Sequence, residues 1–190
     1  MEQNNKRAQL QKLTLSAMFL ALGLILPFFT GQIPQIGSML LPLHIPVLVC
    51  GMVCGSYYGG IIGFILPILR YFLFGMPALF PMGLAMAFEL AAYGIIVGKL
   101  YYESKWKCWS NLYFSLITAM IGGRIVWGIV FAVLCGVSGQ EFTMAIFITS
   151  AVIQAIPGVV LQLVLVPVLV KCLNQTLWMP DLRREKRLEK

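Results

Sequence analysis

An all-α integral membrane protein with about six transmembrane helices is the fold class this sequence predicts, and three observations carry it. The 190 residues are 59% hydrophobic and only 11% charged, where soluble domains run nearer half apolar and a quarter charged. Apolar runs of membrane-crossing length recur along the chain. Each crossing takes roughly 20 apolar residues to pass about 30 Å of hydrocarbon, so the length holds six spans with short loops and leaves no room for a soluble domain. Finally, the charges are sorted by position. Basic residues gather at the N-terminus (Lys6, Arg7, Lys12), around one mid-chain loop (Lys99, Lys105, Lys107) and at the end (Lys171, Arg183, Arg184, Lys186, Arg187, Lys190). That sorting is the positive-inside pattern of a polytopic protein, and it explains the net charge of +7 better than a nucleic-acid face would.

Span 1 is expected from Leu13 to Phe29, behind a cytoplasmic segment over residues 1–12. It lacks a small-residue cleavage site and runs on into more membrane sequence, so no cleavable signal peptide is expected. Gly31, Pro34, Gly37 and Pro42 break the chain into a loop from Thr30 to Pro42. Span 2, Leu43 to Ser56, is short for a crossing and contains Pro46. Span 3 covers Tyr57 to Phe74, and Gly75-Met76-Pro77 with Pro81 makes the next turn. Span 4 runs from Met82 to Tyr102; the stretch Glu103 to Ser110 carries interfacial anchors in Lys105, Trp106 and Lys107. Span 5 covers Asn111 to Cys135, a loop Gly136 to Phe142, and span 6 Thr143 to Leu173, with a charged tail over residues 174–190. Six spans return both termini to one side. The three loops assigned outside carry no Lys or Arg, so the termini are expected in the cytoplasm of a multi-pass protein of the bacterial cytoplasmic membrane.

Glycines on span 3 (Gly59, Gly60, Gly63) and span 5 (Gly122, Gly123, Gly128) permit close helix contact. Cys50 and Cys54 stand one helical turn apart and are read as small packing residues rather than metal ligands. No metal or cofactor site is expected: no second His or buried Asp accompanies His44 and Glu89. The chain has neither a phosphate-binding G-x-x-x-x-G-K loop nor a G-x-S-x-G elbow, which speaks against ATP hydrolysis and serine-hydrolase chemistry.

Chemistry must then come from the ionisable groups inside the spans, each of which costs several kcal/mol in lipid unless it meets a partner or a wet cavity. They are Arg70, Glu89 and Arg124, with His44 at the outer start of span 2. Glu89 lies roughly 12 Å inward from Pro81 and Arg124 roughly 18 Å inward from Gly136 at the helical rise. Arg70 is a few residues from the outer turn, and Gln154 falls at similar depth on span 6. An interhelical ion pair would account for Glu89 and one arginine and leave the second unexplained, since arginine cannot shed its proton. An outward-facing pocket for an anionic or strongly polar small molecule balances the surplus. His44 is a candidate contact there, although an interfacial histidine satisfied by backbone or water is the plainer reading. Tyr71, Phe88 and Trp127 neighbour the charged positions and are candidate pocket walls or ordinary packing residues.

On span 1, Ala17-Met-Phe-Leu-Ala21 places two small residues on one helix face. Together with the length, six spans, the long first outer loop and the outer-half charges, this makes the whole chain resemble the S components of energy-coupling factor (ECF) vitamin transporters. Leu41-Pro-Leu-His-Ile-Pro-Val-Leu-Val-Cys-Gly51 and Leu69-Arg-Tyr-Phe-Leu-Phe-Gly-Met-Pro77 are similar to that family's sequences too. The resemblance implies a non-enzymatic subunit that captures a vitamin or precursor at the outer face. It implies a transmembrane coupling protein and two cytoplasmic ATPases as partners, with Ala17 and Ala21 as the docking face and the Thr30–Pro42 loop capping the pocket. The sequence looks most like the pantothenate-type branch. Pyridoxine and hydroxymethylpyrimidine remain competitors, in which case Glu89 takes the leading role; an independent transporter or an intramembrane enzyme is the more distant alternative.

Overall fold

The computed structural model describes residues 2–30, 41–75, 77–104, 108–138 and 156–175. Among these the chain is helical throughout and contains no strand. We number the helices α1 (Glu2–Ile25), α2 (His44–Cys54), α3 (Ser56–Phe74), α4 (Leu84–Val97), α5 (Trp109–Ser138) and α6 (Ile156–Gln175). A 3-10 turn over Leu26–Thr30 extends α1, a π-type turn over Gly98–Tyr102 lengthens α4 at its end, and Leu79–Gly83 leads into α4 across a kink at Phe80, whose backbone is extended. Five segments are long and apolar enough to cross a membrane: Lys6–Phe28, Ser56–Phe74, Leu79–Tyr102, Trp109–Ser138 and Ile156–Leu173. The apolar α2 is the sixth, shorter element. Helix α1 starts well before Leu13, so the expected N-terminal segment continues the helix. Most of the Thr30–Pro42 loop, the first half of span 6 and nearly all of the tail lie outside the described residues.

The short second span has a local cause. Helix α2 has 11 residues, about 16 Å at the helical rise and half a hydrocarbon core. Its end is set by Gly55, which alone separates α2 from α3 and holds φ 103°, ψ 173°. Only glycine adopts that conformation without strain. The chain therefore reverses within one residue, and Gly59 of α3 comes back against the backbone of Gly51. All 11 residues of α2 are buried. It forms the central post of the bundle, touching α1, α3, α4 and α6. Its Leu48, Val49 and Cys50 join Leu66 of α3, Leu90 and Val97 of α4, Leu116 of α5 and Val166 of α6 in one core.

Helices α3 and α4 share the most extensive interface. Gly59 and Gly63 on α3 and Gly94 and Gly98 on α4 are each four residues apart, the small-x-x-x-small spacing that lets backbones approach. A methyl group on Gly94 would overlap the Gly59 carbonyl, and one on Gly63 would overlap the Leu90 carbonyl. These contacts fix an antiparallel register in which Gly63 faces Leu90 and Gly98 faces Ser56. Helix α5 packs on the other side of α4, with Gly123 against the Tyr93 ring. The periphery stays apolar, as lipid requires: Met18, Phe72 and Ile129 are among many large side chains more than half exposed.

Candidate functional site

The buried polar groups converge where α2, α4 and α5 meet. Glu89, 1% exposed, sits in the second turn of α4. Its Oε1 lies 3.0 Å from Arg124 Nη1 of α5, a charge-assisted contact. Tyr93, one turn along the same face of α4, donates its hydroxyl to the same Oε1 at 3.2 Å and lies 3.4 Å from the Met120 carbonyl of α5. His44 opens α2 and is 1% exposed. Its ring stands edge-on to Tyr93 with centroids 5.1 Å apart, and its Nε2 is 3.6 Å from Glu89 Oε1, beyond hydrogen-bond range. One carboxylate oxygen thus holds Arg124 of α5 and Tyr93 of α4, with His44 of α2 beside it.

That arrangement leaves polar groups over. Both ring nitrogens of His44, Nη2 of Arg124, Nη1 of Arg70 and Nε2 of Gln162 are buried without a hydrogen-bond partner. Orphaned buried polar groups of this kind cost about 1–3 kcal/mol each, and more when charged. Arg70 is 6% exposed, near the C-terminal end of α3. Its guanidinium lies over the Phe74 ring at 5.9 Å, and no carboxylate among the described residues pairs with it. From the register of Gly63 on Leu90, Arg70 stands about 9 Å farther toward the α3–α4 turn than Glu89. The two arginines thus occupy unlike positions, one locked to Glu89 and one apart from it, nearer the α3–α4 turn.

The other expected residues divide. Trp127, three residues along from Arg124, is buried against Ala85 and stacks on Phe131 at 4.9 Å. Phe88 points the other way: it is 45% exposed and meets Phe64 on the outer side of α3 and α4, so it is not a wall of the polar cluster. Tyr71 packs edge-on to Phe72. Gln154 lies outside the described residues. Two groups escaped the sequence reading. Tyr93 is spaced i+4 from Glu89, which places both on one helix face. Gln162 is the one polar side chain in the apolar run from Ile156 to Val170 and is 1% exposed.

Cys50 and Cys54 are buried free thiols, with Cys50 Sγ 3.7 Å from Ser16 Oγ. Among the described residues no group of three His, Cys, Asp or Glu side chains is placed to hold a metal. On α1, Ala17 and Ala21 lie on the exposed face, flanked by Leu10, Met18 and Leu22, while Ser16 and Gly23 face inward and Gly23 lies against Leu66. Residues 11–170 match the family model for the ECF transporter, substrate-specific component. No curated protein and no solved structure matches the chain.

Proposed function

This chain belongs to the ECF transporter substrate-specific component family, and from that premise we propose that it captures a small anionic vitamin, pantothenate first among the candidates, for import powered by partner subunits. The observation that carries the ligand class is the charge balance. Glu89 is engaged by Arg124 and Tyr93, whereas Arg70 is buried with an unpartnered Nη1 and no carboxylate paired with it among the described residues. A carboxylate ligand would supply the missing charge, and a ligand rich in acceptors would satisfy the further donors on His44, Arg124 and Gln162. Arg124 is then the structural arginine and Arg70 the ligand-facing one. Because Glu89 Oε1 is already shared, it is poorly placed to act as the main recognition group for a pyrimidine or pyridoxine.

Membership of the family implies a transmembrane coupling protein and ATPases as partners. The exposed face bearing Ala17 and Ala21 suits that docking: small side chains admit a close helix, and little of this span is buried within the subunit. With both termini read as cytoplasmic, the polar cluster lies nearer the outer than the inner end of α4.

The test is a thermal-shift screen of the purified subunit against pantothenate, pyridoxine and hydroxymethylpyrimidine, with mass spectrometry of co-purified small molecules. Stabilisation by pantothenate alone is expected. Stabilisation by a cationic or neutral pyrimidine, with none by any carboxylate, would overturn the anion reading and return the leading role to Glu89.

A further inference from the structure

The glycine pairs that draw α3 and α4 together on their inner faces leave a groove of about 680 Å³ on their outer faces. Its floor is Gly60 and Ala91. Phe64 and Phe88, edge to face at 5.3 Å, stand at the end nearer the middle of the bundle. Ser56 and Lys99 stand at the other, by the α4–α5 connection. From Ser56 to Phe64 is eight residues, about 12 Å, the length of a substantial part of one acyl chain. The lining is apolar save at the Ser56–Lys99 end, where two opposite charges sit. Lys99 is exposed, and the Ser56 hydroxyl donates to Glu103 Oε1 at 3.0 Å, holding that exposed carboxylate beside the groove mouth.

We propose that this groove is a binding site for one phosphatidylethanolamine molecule, independent of the vitamin site. An acyl chain lies along Gly60 and Ala91, the phosphodiester meets Lys99, and the headgroup ammonium meets Glu103. The pairing of charges selects the headgroup. Lys99 suits the phosphate common to all phospholipids, whereas Glu103 penalises a net anionic headgroup and rewards one that carries a cation. In the topology read from the basic residues, the lipid belongs to the cytoplasmic leaflet, where the α4–α5 connection lies.

Titration of the subunit in mild detergent with phosphatidylethanolamine and, separately, phosphatidylglycerol, read by native mass spectrometry, tests this. One phosphatidylethanolamine is expected to bind about fivefold more tightly than phosphatidylglycerol, the scale of one interfacial charge contact. Lys99→Gln should weaken it about fivefold by the same reasoning. Glu103→Gln should abolish the preference between the two lipids, and Ala91→Trp should block binding by filling the floor. Lys99 and Glu103 are exposed, so their variants keep the test alive if the tryptophan variant fails to fold. Equal binding of both lipids by the parent overturns the proposal, as does unchanged phosphatidylethanolamine binding in Lys99→Gln. Photoreactive phosphatidylethanolamine should label Phe64 and Phe88; a protein partner cross-linked there in place of lipid in the assembled transporter would also overturn it.

Discussion

Arg70 and Arg124 carry the same charge in unlike surroundings, so the same substitution asks a different question of each. Arg124→Met would strand Glu89, 1% exposed, with Tyr93 as its remaining close partner. Breaking a buried pair in this way costs about 3–5 kcal/mol, so a large drop in melting temperature is expected. Arg124→Met combined with Glu89→Gln should recover much of it, because no buried charge is then left alone. Arg70→Met removes a cation with no carboxylate partner among the described residues and should leave the melt of the empty protein nearly unchanged. It should weaken carboxylate binding by about 1.5–3 kcal/mol, roughly ten- to a hundredfold. Lysine at 70 should rescue in part, since an ammonium lacks the planar two-donor fork. Equal melts and equal affinities for the two Met variants would sink the charge-balance argument. Spacing along the helix, more than adjacency, decided what was legible here. Phe88 adjoins Glu89 in sequence, yet one residue is a 100° rotation, and its ring faces outward. Tyr93 and Trp127, at i+4 from Glu89 and i+3 from Arg124, share the faces of their charged neighbours.

At the scale of elements, hydropathy made the number and order of helices readable, because lipid demands a long apolar run for each crossing. It said nothing of which glycines meet. Gly59, Gly63, Gly94 and Gly98 form a single interface, whose partners lie some 35 residues apart in sequence and become visible only once α3 and α4 are paired. Gly94→Ala should therefore be costly beyond its loss of flexibility. The added methyl meets a backbone carbonyl, which cannot rotate aside as a side chain would. Overpacking of about 1–3 kcal/mol is expected, read as a lower melting temperature with separation of α3 from α4. Gly136, with no described residue within 4 Å of its Cβ position, is the control, and alanine there should change little. A Gly94→Ala protein that melts with the parent would show the helices are not held by this contact. Helix α1 invites the opposite expectation. Ala17 and Ala21 sit on its exposed face, so Leu or Trp there should leave folding and ligand affinity nearly intact while weakening assembly with the coupling protein. Loss of folding instead would mean that the face packs inside the subunit.

For the whole molecule, the question is what a bundle of this construction can do alone. Its polar cluster is buried among α2, α4 and α5, and α2 fills the centre of the bundle with 11 buried residues. On the proposed reading ligand uptake is spontaneous, since the orphaned donors and the Arg70 guanidinium, which has no carboxylate partner among the described residues, are satisfied on contact. Moving ligand against a gradient needs an outside source of free energy, because binding alone shifts populations only as far as the differential affinity of two states allows. The sequence contains no phosphate loop to supply it from ATP. The purified subunit in liposomes should therefore show saturable, nucleotide-independent binding and no accumulation. Adding the coupling protein and ATPases of an ECF module should make uptake concentrative and ATP-dependent, and Ala17→Trp should abolish that gain while binding persists. The decisive measurement is the internal-to-external vitamin ratio with and without the module. A ratio well above one for the subunit alone, with no other protein present, would mean that a proton or ion gradient drives it, and the chain would be a transporter in its own right.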